Sequence, residues 1–258
     1  MTEANVEHFA TQTHGSGPGL VLSHGGGGGI DLNFGPILPT LADHFTVVGP
    51  DFPGSGSTPR STSPLTLDGL ADGLVASAAA AGLDRFSLVG YSMGTSVAIR
   101  TAARHSDRVD KMVLIAGFAR PDSYLRLALD LWEAMLDGAP EVLAKFLLAL
   151  GGGDQMVSGL DRAEVDRLVA TMAESIPAGA ADHVALAKTI DVRADLPLIE
   201  APTLVIKTTL DRLATPAHSD ELAAGIPSAR SVELDCGHSV AAERPARLAK
   251  LIIDHLTT

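Results

Sequence analysis

The sequence predicts an α/β fold with a mostly parallel central sheet, helices on both of its faces and an inserted helical lid. Short, continuously apolar strands alternate with amphipathic helices in both end regions of the 258-residue chain. Strands that are apolar on both faces indicate a parallel sheet buried between helices. Between residues 119 and 198 only helical patterns occur. Finally, a serine flanked by glycines, Gly90-Tyr91-Ser92-Met93-Gly94, joins an apolar strand to a helix.

Composition and charge narrow the range of functions. Apolar residues make up 46% and charged residues 19% of the chain, as in a folded globular protein. The net charge of −12 argues against nucleic acid or an anionic membrane as partner. Met1 to Thr13 lacks the apolar core of a signal peptide, so a cytoplasmic protein is expected. Because Cys236 is the single cysteine, neither a disulfide nor a cysteine-based metal site is expected within the chain.

The N-terminal part contains four predicted strands. They are an edge strand at Val6–Thr11, two short strands at Leu20–Ser23 and Thr46–Gly49, and the buried strand Phe86–Val89. One predicted helix runs from about Gly35 to His44, with Asn33 as its cap and Pro36 in its first turn. A second helix opens at Thr66 and runs to Ala81, where Gly82 closes it.

The C-terminal part begins with the strand Val109–Ala116. Residues 119–198, called the inserted segment from here on, contain four predicted helices: Ser123–Leu136, Pro140–Leu150, Arg162–Ser175 and Ala180–Thr189. Alternation then resumes with strands at Thr203–Lys207 and Arg230–Leu234 and helices at Pro216–Ala224 and Pro245–His255. We therefore expect a core domain of residues 1–118 and 199–258, with the inserted segment as a helical lid over the sheet edge where such folds bind ligands.

The turn around Ser92 has the pattern of a nucleophile elbow. So tight a turn leaves little room for side chains two positions before and after the serine, which accounts for Gly90 and Gly94. The same geometry directs the Met93 amide, at a helix N-terminus, towards negative charge. Gly26, in a glycine run at the end of an early strand, is a candidate for a second amide donor. Gly26 and Met93 are thus the predicted oxyanion hole.

A serine nucleophile needs a base, and the base needs a carboxylate to orient it. Three histidines follow the inserted segment. His218 and His255 fall within amphipathic helices, whereas His238 lies in a loop after a strand and can reach back to the elbow. Asp211 lies just beyond another strand. These positions predict a triad of Ser92, Asp211 and His238, in that order along the chain.

Together these motifs resemble the α/β-hydrolase family, in particular its lid-bearing branch of esterases, lactonases, C–C hydrolases and cofactor-free perhydrolases. The resemblance covers nearly the whole chain and rests on five segments: His24-Gly25-Gly26, Asp51 to Ser57, Gly90 to Gly94, Asp211, and Gly237-His238 followed by Glu243-Arg244-Pro245. It implies the same nucleophile, acid, base and oxyanion amides as above, and no cofactor or metal.

One departure from the family pattern leaves a second candidate for the acid. The family often has glycine two positions before the acid, where this chain has Thr209. Asp122, which follows the strand Val109–Ala116, is therefore an alternative to Asp211.

The expected activity is hydrolysis, through an acyl-enzyme on Ser92, of an ester, lactone or thioester bond in a medium-sized, mainly apolar small molecule. Phe34 and Trp132 are expected to line the substrate pocket. C–C bond hydrolysis or perhydrolysis on the same triad is an alternative, as is a non-hydrolytic catalyst or ligand-binding protein that uses the lid pocket. Epoxide opening and dehalogenation are disfavoured, because relatives with those activities have a carboxylate nucleophile. A homodimer is compatible with the sequence.

Overall fold

The computed structural model describes residues 9–258 and is built around a seven-stranded sheet. Its strands are β1 (Thr11–His14), β2 (Gly19–Ser23), β3 (Thr46–Pro50), β4 (Phe86–Tyr91), β5 (Val109–Ile115), β6 (Thr203–Thr208) and β7 (Ala229–Leu234). Their spatial order is β1-β3-β2-β4-β5-β6-β7. The edge strand β1 is antiparallel to β3, and the neighbouring pairs from β3 to β7 are parallel. The predicted mostly parallel sheet is confirmed.

Helices cover both faces of this sheet. They are α1 (Ile30–Phe34), α2 (Leu38–Ala42), α3 (Leu67–Ala80), α4 (Met93–Arg104), α5 (Ser123–Met135), α6 (Pro140–Gly151), α7 (Asp154–Ser158), α8 (Arg162–Glu174), α9 (Ala180–Ala187), α10 (Pro216–Gly225), α11 (Val240–Glu243) and α12 (Pro245–Thr257), with a short 3-10 turn at Leu196–Leu198. Helices α5 to α9 and the 3-10 turn all belong to the inserted segment between β5 and β6.

The inner strands are mainly apolar because the two faces of the sheet pack against two different apolar cores. In β2, Leu20 and Leu22 belong to one apolar cluster, which also contains residues of α1, α2 and α12. Val21 points the other way, into a second cluster with residues of α3, α4 and the inserted segment. Strand β5 alternates in the same manner. Burial on both faces explains why these strands lack the polar positions of a half-exposed sheet.

Two N-terminal elements differ from the sequence prediction. The edge strand is β1, so the predicted Val6–Thr11 strand coincides with it only at Thr11, and residues 6–8 lie outside the described residues. The predicted Gly35–His44 helix is shorter in the structure, where α2 covers only Leu38–Ala42 and a separate short helix, α1, precedes it at Ile30–Phe34. Pro36 lies between the two helices and accounts for the break, because proline lacks the amide hydrogen that a continuous helix would need there. Asn33 consequently lies within α1 and caps no helix.

Across residues 9–258, each helix is too short or too polar to cross a lipid bilayer.

Candidate active site

The elbow places Ser92 between β4 and α4 in a backbone conformation that few residues adopt. Its φ is 54° and its ψ is −125°. A Cβ atom on Gly90 would lie 2.7 Å from the carbonyl oxygen of Gly94, and one on Gly94 would overlap the carbonyl oxygen of Ser23. The Ser92 amide donates to the carbonyl oxygen of Ile115, at a distance of 2.9 Å. Gly90 therefore allows α4 to approach β4, and Gly94 allows α4 to approach the end of β2. The turn presents the Ser92 side chain beyond the sheet.

The structure brings the three predicted triad residues together. The Ser92 Oγ atom lies 2.9 Å from Nε2 of His238. On the other side of the ring, Nδ1 of His238 lies 2.7 Å from Oδ2 of Asp211. If the Nδ1 atom carries the hydrogen and donates it to the carboxylate, Nε2 is left as the acceptor for the serine hydroxyl. This arrangement allows the imidazole to take a proton from Ser92.

The Asp211 carboxylate is fully buried and is held by several donors. Its Oδ1 atom accepts hydrogen bonds from the amides of Leu213 (2.8 Å) and Ala214 (3.0 Å). Its Oδ2 atom accepts from the Thr208 hydroxyl (3.0 Å) as well as from His238. These bonds satisfy a carboxylate with no exposed surface and fix the direction in which it faces the imidazole.

Two side chains, those of Tyr91 and Glu243, hold the loop that carries His238. The hydroxyl of Tyr91 donates to the His238 carbonyl oxygen at 2.9 Å, and burial raises the pKa of this phenol. Glu243 accepts from the amide of Gly237 and from that of Gly153, each at 3.1 Å. Gly153 belongs to the inserted segment, so the Glu243 carboxylate links this segment to the loop that carries His238.

The glycine run lies against the elbow. A Cβ atom on Gly25 would be 3.1 Å from Cβ of Ser92, and one on Gly26 would be 3.3 Å from the sulfur of Met93. Gly26, Ser92 and Met93 line the same cavity. Within residues 9–258, the amides of Gly26 and Met93 donate to no backbone or side-chain acceptor. Both are free to donate to a ligand oxygen beside Ser92, as an oxyanion hole requires.

Two buried histidines flank the glycine run, and both are held in their neutral form. Nε2 of His24 accepts from the amide of Phe52 at 2.8 Å. Burial, reinforced by the neighbouring His183, lowers the pKa of His24 to about 3. His183, in α9, is also fully buried, and burial lowers its pKa as well. Neither imidazole contributes a positive charge to the site near neutral pH.

A narrow, mainly apolar cavity adjoins Ser92. Its volume is about 20 Å³. The core contributes Gly26, Ser92, Met93, Phe118, Leu213 and Ala214 to the lining. The inserted segment contributes Leu125, Leu129, Trp132, His183, Val184 and Ala187. Half of the lining thus comes from the inserted segment.

The structure places the other candidate residues as follows. Trp132 lines the cavity, whereas Phe34 does not. Phe34 is 1% exposed and packs edge-on against Tyr91 in the other apolar core, which corrects the expectation that it contacts substrate. Asp122 accepts from the amide of Leu125 at 2.8 Å and so caps α5. Its nearest imidazole is that of His218, at 3.6 Å, so Asp211 is the carboxylate that the structure brings to His238.

Sequence reasoning missed the positions of Tyr91 and His183. Tyr91 lies within the elbow, and the elbow pattern specifies the serine and the glycines but not the residue before the serine. His183 had a detectable signal: Ala180, Val184 and Ala187 share its face of α9 at helical spacing, and all are buried. A histidine on an apolar helix face must find buried hydrogen-bond partners, and its position identifies it as a candidate for the site.

Comparison with known proteins agrees with this fold. A family model for the alpha/beta hydrolase fold matches residues 18–245. Pyrrolizixenacetamide deacetylase from Xenorhabdus hominickii is 32% identical over 240 residues, which cover 92% of this chain and 90% of that protein. The crystal structure of the enol-lactonase from Burkholderia xenovorans LB400 has a TM-score of 0.84 and 28% identity, and covers 97% of this chain and 96% of that one. A hydrolase from Pseudomonas aeruginosa PA01 has a TM-score of 0.85 and 26% identity, with 97% and 94% coverage.

The chain therefore belongs to the α/β-hydrolase family and is a hydrolase of that fold.

Proposed function

We propose that the protein is a serine hydrolase that cleaves the ester, lactone or thioester bond of a small, mainly apolar molecule through an acyl-enzyme on Ser92. The observation that carries the proposal is the hydrogen-bonded chain from Ser92 through His238 to Asp211. Ser92 lines a cavity together with Gly26 and Met93, whose backbone amides have no acceptor within residues 9–258. These are the nucleophile, base, orienting acid and oxyanion donors that acyl transfer needs.

In the first half of the reaction, Ser92 Oγ attacks the substrate carbonyl carbon while His238 Nε2 takes the hydroxyl proton. The carbonyl oxygen becomes an oxyanion, which the amides of Gly26 and Met93 stabilise. Asp211 stabilises the imidazolium formed at His238. When the carbonyl bond re-forms, the bond to the leaving alkoxide or thiolate breaks, and His238 returns the proton to that group. The acyl group remains on Ser92.

In the second half, a water molecule replaces the leaving group. His238 takes one proton from the water as its oxygen attacks the acyl carbon, and the same two amides hold the second oxyanion. Collapse of this intermediate breaks the bond to Ser92 Oγ, which receives the proton from His238. The products are the carboxylic acid and the free enzyme.

The small volume of the cavity favours a substrate with a short acyl group. The cavity volume of about 20 Å³ is little more than one water molecule needs. Its walls are mainly apolar, with Leu125, Leu129 and Val184 supplied by the inserted segment. We propose that this segment acts as a lid, so that larger leaving groups extend past it and the acyl group occupies the space beside Ser92.

One polar group in the wall sets a further requirement on the substrate. The indole Nε1 of Trp132 is buried without a partner among the described residues, and the side chain lines the cavity. A buried donor without a partner costs roughly 1–3 kcal/mol, and a substrate acceptor placed there would recover part of that cost, about 1 kcal/mol net. The favoured substrate therefore combines an apolar body with one hydrogen-bond acceptor.

An amide is the second candidate for the scissile bond. It is favoured by the similarity to the Xenorhabdus hominickii deacetylase, which extends over 92% of the chain. An acetyl group also suits the narrow cavity. The same triad can cleave an amide if His238 protonates the leaving nitrogen.

A substrate panel tests the proposal and separates its two forms. The panel contains p-nitrophenyl acetate, p-nitrophenyl butyrate, p-nitroacetanilide and an aliphatic δ-lactone, with a fluorophosphonate probe to label the nucleophile. We expect a single covalent adduct on Ser92 and turnover of at least one oxygen ester or lactone. If p-nitroacetanilide is cleaved more efficiently than p-nitrophenyl acetate, the amide form is the correct one. An unlabelled Ser92 with no turnover of any member would reject both.

A further inference from the structure

We propose that His183, in helix α9 of the inserted segment, is a positioning residue that holds the Gly26 amide in place through its neighbour Gly27. The inference rests on the proposed function, because it concerns the amide that would stabilise the oxyanion. It also gives the inserted segment a role in catalysis beyond covering the site.

Both ring nitrogens of His183 are used by the loops around the nucleophile. The amide of Gly27 donates to Nδ1 at 3.1 Å, and Nε2 donates to the carbonyl oxygen of Pro53 at 3.0 Å. This pair of bonds requires a neutral imidazole with its hydrogen on Nε2. Full burial favours that neutral form. His183 therefore acts as the acceptor for Gly27 and as the donor to Pro53.

The peptide groups on either side of Gly26 are fixed by different partners. On the N-terminal side, the amide of Gly25 donates to Oδ1 of Asn33 at 2.8 Å. His24 Nδ1 is also 2.8 Å from the carbonyl oxygen of Gly25. On the C-terminal side, the hydrogen bond from Gly27 goes to His183. Removing His183 thus releases one of the two ends between which the Gly26 amide is held.

The backbone at Gly27 needs such a support. Its φ of 65° lies in the left-handed region, which glycine reaches easily but also leaves easily. A Cβ atom there would lie 2.5 Å from Cζ2 of Trp132, so no other residue fits beside this ring. Because glycine has no side chain to restrict it, the hydrogen bond to His183 selects one conformation among those open to the loop.

The position of His183 is itself well determined. Its ring packs edge-on against Phe52, with ring centroids 6.4 Å apart, and lies 6.0 Å from the ring of His24. The start of α9 is attached to the core, since the Gly179 amide donates to the carbonyl oxygen of Gly54 at 2.9 Å. Arg60 and Asp182 add an ion pair at 2.9 Å. The position of helix α9 on the core therefore determines where His183 lies relative to the glycine run.

Two substitutions separate the roles of the two ring nitrogens. The amide group of Asn places an acceptor where Nδ1 lies, so His183→Asn can still accept from Gly27. The longer Gln places its amide near Nε2, so His183→Gln can still bind Pro53 but leaves Gly27 without an acceptor. We expect His183→Gln to lower kcat for p-nitrophenyl acetate roughly 30-fold with KM changed less than about threefold, since removal of a whole oxyanion donor costs about 10²- to 10³-fold.

His183→Asn should recover at least about fivefold of that kcat, because it retains the acceptor for Gly27. Ala185→Ser is the matched control, since it alters an exposed residue of α9 two positions from His183 and should leave kcat within about twofold. Equal kcat values for the Asn and Gln variants would overturn the inference while leaving the proposed function intact.

A measurement independent of turnover completes the test. A hydrogen-bonded amide exchanges its hydrogen with solvent only after local opening, so the Gly27 amide should exchange slowly in wild-type protein. In His183→Gln, compared at matched thermal stability, it should exchange at least about tenfold faster. Unchanged exchange at Gly27 would overturn the positioning role even if wild-type protein hydrolysed no ester. Absence of all turnover, with the exchange effect present, would reject the proposed function alone.

Discussion

The carboxylate of Asp211 and the imidazole of His238 meet at 2.7 Å, and the carboxylate has no exposed surface. Since Asp211 also accepts from the amides of Leu213 and Ala214, it cannot turn towards another partner without leaving buried donors unpaired. Asp122, the other sequence candidate, has a half-exposed side chain at the start of α5.

A pair of Asp-to-Asn substitutions tests which carboxylate orients the base. Asp211→Asn should lower kcat by roughly 10³- to 10⁴-fold with little change in KM, because an amide favours the wrong imidazole tautomer. Asp122→Asn should cost less than about tenfold, since it only weakens a helix cap. Both variants are measured with one ester substrate. The assignment is wrong if Asp122→Asn shows the severe loss and Asp211→Asn the mild one.

Trp132→Phe tests whether the unpaired indole meets a substrate acceptor. p-Nitrophenyl methoxyacetate and p-nitrophenyl butyrate have acyl chains of the same length, but only the first has an ether oxygen. We expect Trp132→Phe to lower kcat/KM about fivefold more for the methoxyacetate than for the butyrate, since a hydrogen bond contributes about 1 kcal/mol net. An equal effect on both esters would show that Trp132 contributes only apolar surface.

The two buried histidines predict a loss of stability in acid. The folded-state pKa of His24 is lowered from 6.5 to about 3, so between these values the unfolded chain binds a proton that the folded protein does not. The free energy of unfolding should therefore be highest above pH 6.5 and fall as the pH decreases towards 3, by up to about 1.4 kcal/mol per pH unit for His24. His183, whose pKa burial also lowers, should add to this decline.

Urea unfolding at several pH values measures this slope. His183→Asn removes one of the two groups, because the pKa of His183 is also lowered by burial. The variant should thus show a shallower decline below pH 6.5 than wild type, while the contribution from carboxylates is common to both. Identical slopes for the two proteins would contradict the neutral, buried state of His183.

Gly94 and Gly82 provide a contrast between two kinds of glycine. A Cβ atom on Gly94 would overlap the Ser23 carbonyl oxygen, which belongs to a central strand and cannot move aside. Gly94→Ala should therefore destabilise the protein by more than about 4 kcal/mol or prevent folding. At Gly82, a Cβ would meet nothing within 4 Å, and only the φ of 78° is unfavourable. Gly82→Ala should cost only about 1–2 kcal/mol in thermal or urea unfolding. Similar costs at both positions would contradict the packing of the elbow.

The main strands and the candidate triad residues could be located along the chain from sequence, because both depend on local patterns. A continuously apolar strand predicts burial on both faces of the sheet, and a serine flanked by glycines predicts a tight turn. The later start of α2, at Leu38 and not at Gly35, could also have been expected, since Pro36 supplies no amide hydrogen to a helix. The offset of β1 was not, because pairing with β3 determines where an edge strand begins.

The cavity lining could be predicted only in part, because it depends on how the inserted segment docks. Trp132 and Phe34 are both aromatic residues near apolar stretches, and nothing local distinguishes them. In the folded chain, Trp132 reaches Gly27 while Phe34 packs on the opposite core. The contact between His183 and Gly27 joins residues 156 positions apart, beyond the reach of periodicity.

Replacing the nucleophile tests the central claim most directly. Ser92→Ala should preserve the fold, because the hydroxyl bonds only to His238 among the described residues. It should lower kcat for a p-nitrophenyl ester turned over by wild type by roughly 10⁴-fold or more, with residual rate from the oxyanion amides. Peptide mapping of wild-type protein quenched during turnover should locate the acyl group on Ser92. Ester hydrolysis at near wild-type rate by a correctly folded Ser92→Ala variant would contradict the account.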